Sequence, residues 1–327
     1  MRNRSDARAR RRRASSRRVC KPLTPRAVPL EIAVQPESGE APFLEVIARA
    51  QHRIRVMVYQ LGPGSVFDAL AKKVAAGVEV RAILDESPLS HNAERVALLR
   101  KSGIEVRPGN PQFEYTHAKV IIADGEAAVI STGNFVGDQF KGTRNFAAIN
   151  RDPEDVAVLT EVFDADWDLR PTDQRCARLV ISPDNTRNRV LALLGGATRT
   201  IDLESMELAD IEVRTILASR HAAGVRVRVV LADPSWVKAN DLAADYLAER
   251  GIRARYLVSP SVHAKAVVVD GSVAFLGSVN LSYTSLNRNR EVGVVVDEPR
   301  NVAKIAATLA RDYKAAVPFS RAPRLGM

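Results

Sequence analysis

The chain has 327 residues, 46% of them hydrophobic and 26% charged, proportions that suit a soluble globular protein with room for two domains of ordinary size. Its net charge of +10 excludes little, because residues 1–21 hold nine arginines and one lysine against one acid, Asp6, leaving about +1 for the remainder. No run approaches the roughly 18 consecutive apolar residues of a transmembrane helix.

Residues 1–29 open the chain as an arginine-rich tail without an apolar period, expected to be disordered when free. Such a tail could hold nucleic acid or an anionic membrane through phosphate contacts, or be no more than a solvated leader. Three prolines interrupt VCKPLTPRAVPLEIAV, so no secretory signal is read there. Cys20 belongs to this tail and Cys176 lies far along the chain, so the two are not expected to pair, and a reducing cytoplasm is the compartment they suggest. None of the five histidines sits with cysteines at ligand spacing, so zinc is not expected.

After the tail, an opening helix at about 41–51 leads into the apolar strand IRVMVYQL. An amphipathic helix, VFDALAKKVAAG, ends at Gly77, where glycine suits a left-handed cap. A β-branched strand, a short helix ending near Gly103 and another strand follow, then KVIIAD and AVISTGN around Asp124-Gly125, a hairpin signal. A helix at 153–165 closes the series, and Pro171 with its polar neighbours breaks the pattern between Asp168 and Arg178. The same order then repeats, with helix 186–196, strand IDLESMEL, a helix ending at Gly224, a strand, a helix ending near Gly251, a hairpin around Asp270-Gly271 and helix 299–314. Gln35-Pro36 aligns with Ser182-Pro183 and GVEVRAIL with GVRVRVVL at an offset of 147, which becomes 146 between His117 and His263. A constant offset over this length marks two copies of one α/β domain, with the tail at 1–29, a first domain at 30–170 and a second at 171–320.

The repeat carries chemistry. HAKVIIADGEAAVISTGN and HAKAVVVDGSVAFLGSVN each place Lys two residues after His, Asp seven after and Asn seventeen after. A lone His-x-Lys signifies nothing. Two copies with Asp and Asn at identical offsets, in a chain with five histidines, indicate a functional pair. His117 with Lys119, and His263 with Lys265, would share one face of a strand, and Asn134 and Asn280 would return toward the same edge along the hairpin. Were the halves packed about a pseudo-twofold axis, both sets would meet in one cleft. Two ammonium groups and two amides could then stabilise a pentavalent phosphorus while one imidazole attacks and the other protonates the leaving alcohol. Asp124 and Asp270 read as turn residues, and His52, His91 and His221 as surface residues.

At these residues the chain resembles the phospholipase D superfamily, whose signature H-x-K-x4-D-x6-G-S-x-N occurs twice. His263, Lys265, Asp270, Gly277, Ser278 and Asn280 fit it fully, while the first copy has Ser131 and Thr132 in place of Gly-Ser. The resemblance implies two α/β/α sandwich domains with the active site at their interface, a covalent phosphohistidine and no metal cofactor. It also makes Thr132 and Ser278 candidate phosphate-binding hydroxyls. An acid following the Asn orients an imidazole of the opposite half in this superfamily, which fits Glu291, whereas the equivalent position in the first half is the neutral Asn145. His117, oriented by Glu291, is therefore expected to be the nucleophile and His263 the general acid.

Members act on phospholipids or nucleic acids through the same site. The expectation here is cleavage or transfer of a phospholipid head group, with an endonuclease, or a phosphate-binding module without catalysis, as alternatives. The loops after each Asn mix apolar residues (Phe135, Phe140, Leu281, Tyr283, Leu286) with basic ones, as a rim meeting lipid would, or as ordinary loop packing would. The body lacks the basic–aromatic interleaving of a single-strand track. A cytoplasmic enzyme, possible at the membrane periphery and needing no oligomer, completes the reading.

Overall fold

The computed structural model describes residues 20, 22–87 and 91–320, so the arginine-rich run at 1–19 lies outside the described residues. The first half runs β1 (Glu31–Gln35), α1 (Ala41–Arg49), β2 (Arg53–Val58), α2 (Ser65–Ala75), β3 (Glu79–Leu84), α3 (Ala93–Lys101), β4 (Glu105–Pro108), β5 (Lys119–Ala123), β6 (Ala127–Ser131), β7 (Thr143–Asn150) and α4 (Pro153–Trp167). The second runs β8 (Val180–Ser182), α5 (Thr186–Gly195), β9 (Thr200–Ser205), α6 (Ile211–Ala222), β10 (Arg226–Leu231), α7 (Ala239–Ala248), β11 (Arg255–Tyr256), β12 (Ser261–Val262), β13 (Lys265–Val269), β14 (Val273–Gly277), α8 (Tyr283–Asn287), β15 (Glu291–Val296), α9 (Pro299–Ala315) and β16 (Val317–Pro318). Every helix and hairpin expected from the repeat is present. The strands β1, β7, β8, β12, β15 and β16 have no counterpart in the sequence reading; β7 is buried along its whole length and so shows none of the alternation that betrays a half-exposed strand.

Each half is a mixed sheet, in the order β1-β7-β6-β5-β2-β3-β4 and β16-β11-β10-β9-β13-β14-β15-β8. Helices α1 to α3 cover the outer face of the first sheet through Phe43, Ile47, Leu70 and Leu99, and α5 to α7 that of the second through Val190, Leu217 and Leu247. The inner faces share one core. Leu159 and Phe163 of α4 and Ile305 and Leu309 of α9 pack with Val120 and Ile130 of one sheet and Val268 and Leu276 of the other. Two α/β/α layers thus join through their middle, which is the duplicated architecture expected.

The sheets also exchange strands. β12 pairs in parallel with β7 of the other half, and Thr116 bridges in parallel to Arg290 beside β15. Each crossing segment leads directly into a histidine. Among the described residues no helix is long and apolar enough to cross a membrane.

Two expectations, unpaired cysteines and a tail disordered to residue 29, are corrected, and the loops after each Asn follow the ordinary-packing reading. Cys20 and Cys176 form a disulfide. They meet because residues 22–29, assigned to the disordered tail, are docked: Arg26 Nε donates to Asp155, Ala27 N to Asp152 and Arg178 to the Thr24 carbonyl. With the pair oxidised, the cysteines no longer argue for a reducing compartment. The loops after Asn134 and Asn280, in turn, bury Phe135, Phe140, Leu281 and Leu286 within 7% exposure, leaving Tyr283 as the exposed member of the suggested rim.

Candidate active site

The catalytic-looking histidines stand just ahead of β5 and β13 rather than on them, on the segments that cross between halves. The His117 N–H donates to Arg290 O at 2.9 Å and the His263 N–H to Arg144 O at 3.1 Å. One residue further along each receiving strand a side chain reaches the ring: Glu291 carboxylate oxygens lie 2.9 Å from His117 Nδ1, and Asn145 Oδ1 lies 3.1 Å from His263 Nδ1. Glu291 therefore holds the imidazole of the opposite half, and Asn145 does so reciprocally. Lys265 Nζ donates across the interface to Thr132 O at 3.2 Å, so both His-Lys sets meet at one place.

Both Nδ1 atoms are engaged, which leaves Nε2 for chemistry. Glu291 fixes the tautomer of His117 with a proton on Nδ1. Asn145 turns its oxygen to the His263 ring, because its Nδ2 donates to the Gln139 carbonyl at 3.1 Å, a group that can only accept; the His263 Nδ1 also lies 3.1 Å from Lys265 Nζ. Gly133 makes room for this amide: a Cβ there would lie 2.7 Å from Asn145 Cγ.

Four cationic or potentially cationic groups crowd the interface. Burial pulls Lys119 down to about 7, against the opposing pull of Glu291 and Asp85. Burial and the Lys119 charge push Lys265 well below its ordinary value. Burial lowers His117 too, though Glu291 partly restores it, while His263 is lowered much further by burial and by both lysines, with no carboxylate to offset them. Burial alone would raise Glu291, but His117 and Lys119 win and hold it below the usual carboxylate range. The cationic groups outnumber Glu291, the carboxylate that faces both lysines, a balance that favours an anion.

Asn134 donates to Gln60 Oε1 at 3.3 Å, and the amide oxygens of both Asn134 and Asn280 are buried without a hydrogen-bond partner. Thr132 and Ser278 differ from expectation. Both are fully buried: Thr132 Oγ1 donates to Asn145 Oδ1 at 2.8 Å, and Ser278 Oγ lies against Glu291 while accepting from Val292 N at 3.0 Å. Their hydroxyls brace the imidazole partners. Asp124 and Asp270 are turn residues, with φ of 54° and 55°. Glycine at motif position 277 has a packing reason: a Cβ there would meet Cα of Gly293, its partner on β15, at 2.4 Å, whereas Ser131 in the first half pairs with Ala147 of β7.

Several neighbours escaped the sequence reading. Tyr59 lies 4.8 Å from the His117 ring, and Trp236, 47% exposed, stacks on His263 at 6.0 Å. Glu207, raised by burial despite Ser282 and Lys265, occupies the place that Gln60 has in the first half. The offset of 147 between them was the available signal.

A family model described as "Cardiolipin synthase, PLD-like domain" matches residues 43–167 and again 190–313. Cardiolipin synthase 1 of Bacillus cereus is 27% identical over 85% of this chain, and the cardiolipin synthase of Geobacillus thermodenitrificans 23% identical over 86%. The chain spans 65% and 66% of those relatives' own lengths. Among solved structures, phosphatidylserine synthase from Haemophilus influenzae superposes with a TM-score of 0.68 at 12% identity, over 93% of this chain and 90% of that one. Polyphosphate kinase from Porphyromonas gingivalis gives 0.69 at 19% identity, over 86% of this chain and 46% of that one, and both likenesses speak for the fold.

Proposed function

The chain belongs to the phospholipase D-like family of the cardiolipin synthase type, and on that premise we propose that it cleaves a phospholipid head-group phosphodiester and passes the phosphatidyl group to water or to a second alcohol. The observation that carries the reading is the reciprocal pairing of each imidazole with the opposite half, Glu291 on His117 and Asn145 on His263. The names of the relatives, cardiolipin synthases, support a lipid substrate and transfer as the reaction.

His117 Nε2 attacks phosphorus, and the bond from phosphorus to the leaving alcohol breaks. The phosphohistidine so formed keeps its Nδ1 proton and hence a positive charge, which the Glu291 carboxylate at 2.9 Å stabilises. His263 gives its Nε2 proton to the departing oxygen. An imidazolium facing an amide and two lysines holds that proton weakly, which makes it a strong acid once the bound phosphate anion has helped it to protonate. Neutral His263 then takes a proton from the incoming hydroxyl, whose oxygen displaces His117 and releases the product. Lys119 and Lys265 neutralise the equatorial oxygens, with Asn134 and Asn280 as amide partners. This sequence needs neither a metal nor another cofactor.

The test uses vesicles of phosphatidylglycerol and phosphatidylcholine in EDTA, with and without added lipid alcohol, and single-stranded and plasmid DNA in parallel. Release of head group or appearance of a transfer product, lost in His117→Ala and His263→Ala, is the expected result. Cleavage of DNA with inert lipids would overturn it in favour of a nuclease. With an activated p-nitrophenyl ester, whose leaving group needs no acid, His263→Ala should still form an acid-labile phosphoenzyme and His117→Ala should not.

A further inference from the structure

We propose that Arg144 and Arg290 are positioning residues of the histidine pair, each fixing the imidazole of the half to which it does not belong. Arg290 is 1% exposed and grips Asp166 of α4 with two bonds, Nε to Oδ2 at 2.7 Å and Nη2 to Oδ1 at 3.0 Å, while Nη1 donates to Ser182 O at 3.0 Å. Arg144 is 2% exposed and grips Asp312 of α9 in the same way at 2.6 and 3.2 Å, while Nη1 donates to Gln35 O at 2.6 Å. Arg144 and Arg290 are 146 positions apart, as are Asp166 and Asp312, so the device is duplicated together with the motif.

Its placement assigns the role. Arg290 sits in the second half, yet its aspartate and the histidine whose N–H its carbonyl accepts, His117, are both in the first. Arg144 mirrors this, with Asp312 and His263 both in the second half. The next residue on each strand, Glu291 or Asn145, holds the ring of that same histidine. A planar guanidinium clamped at two points sets the height and rotation of its strand, and through two adjacent contacts the backbone and the ring of one histidine. A buried ion pair adds little net stability over an apolar replacement, so its duplication at this one point of the fold speaks for geometry.

The groups facing His117 are Glu291, Lys119, Lys265 and Tyr59, and those facing His263 are Asn145, Lys265, Lys119, His117 and Trp236. Imidazole titrations by NMR on the full chain, in Arg290→Lys, Asp166→Asn, Arg144→Lys and Asp312→Asn, test the crosswise assignment without any substrate. Lysine keeps the charge and loses the fork. Arg290→Lys and Asp166→Asn should displace the titration of His117 and leave His263 in place, and the other two variants should do the reverse. Turnover of bis(p-nitrophenyl) phosphate should fall about 100-fold in kcat, with KM changed less than about twofold. Displacement of His263 in the Arg290 and Asp166 variants, of His117 in the Arg144 and Asp312 variants, or of both histidines equally, overturns the proposal. Should a variant not fold, the unaltered chain decides: slow exchange of the His117 and His263 amides supports the clamp, and exchange as fast as an exposed turn overturns it. Failure of every diester to react would count against the enzymatic reading and leave the titration result standing.

Discussion

Glu291 and Asn145 stand at the same point of the two halves and differ by a single charge, which in the proposed mechanism separates the roles of the two imidazoles. Asn145→Asp would put a carboxylate against His263 Nδ1 and stabilise its charged form. The pH above which kcat declines should then move upward by about one pH unit or more, read from the pH–rate profile. Glu291→Gln keeps the hydrogen bond and removes the charge that would stabilise the proposed phosphohistidine, so kcat should fall by about 10²–10³-fold with the profile otherwise intact. Lys119 adds a stability prediction. Burial lowers its folded value to about 7 from an ordinary 10.5, so the folded chain binds fewer protons than the unfolded one between those limits, and stability rises with pH across that window. Lys119→Met should flatten this rise and increase the melting temperature at pH 7, while turnover falls by about 10²–10³-fold. Melting curves at pH 7 and 9 check the sign.

The hairpins are anchored by one carboxylate each. Asp124 accepts from the backbone N–H of Gln51, His52 and Arg53 at 2.6 to 2.9 Å, and Asp270 from Thr198, Arg199 and Thr200 at 2.7 to 2.9 Å. These bonds overcome the upward push of burial and hold both carboxyls below their ordinary value. Their contribution is present above the ordinary carboxylate pKa and is lost as pH falls through the folded one. Asp270→Ala should cost about 1–3 kcal/mol at pH 7 and most of that still at pH 3, because the folded carboxyl protonates only at a much lower pH, measured by urea unfolding. Such local devices were legible in the sequence: the Asp-Gly pairs marked both hairpins, and Gly77 and Gly224 marked helix ends with φ of 86° and 90°. What stayed hidden was pairing between distant segments. Nothing in SVH or YTH announces that these residues leave their own sheet for the neighbour's, and β7 and β15 are buried on both faces. Glu291 was reached through a family resemblance, Arg144 and Arg290 not at all, although their shared offset of 146 was in view. Thr132 and Ser278 were recognised as hydroxyls of a motif, but a motif does not say which way a side chain bonds.

At the scale of the molecule, the two halves depend on each other through more than the site. The docked arm at 22–29 binds Asp152 and Asp155 at the start of α4, the helix whose far end holds Arg290 through Asp166. The Cys20–Cys176 bond ties this arm to the linker between halves across 156 residues. Closing so long a loop limits the unfolded chain far more than it alters the folded one, where Arg26, Ala27 and Arg178 already fasten the same segment. Cys20→Ser with Cys176→Ser should therefore lower stability by about 2–5 kcal/mol while leaving the folded geometry in place. The expected signature is a melting temperature reduced by several degrees, matched by the reduced wild-type chain, with kcat and the titration of both imidazoles unchanged. A loss of turnover at a temperature where the variant is fully folded would mean that the arm bears on the site itself, through α4 and the Asp166–Arg290 clamp.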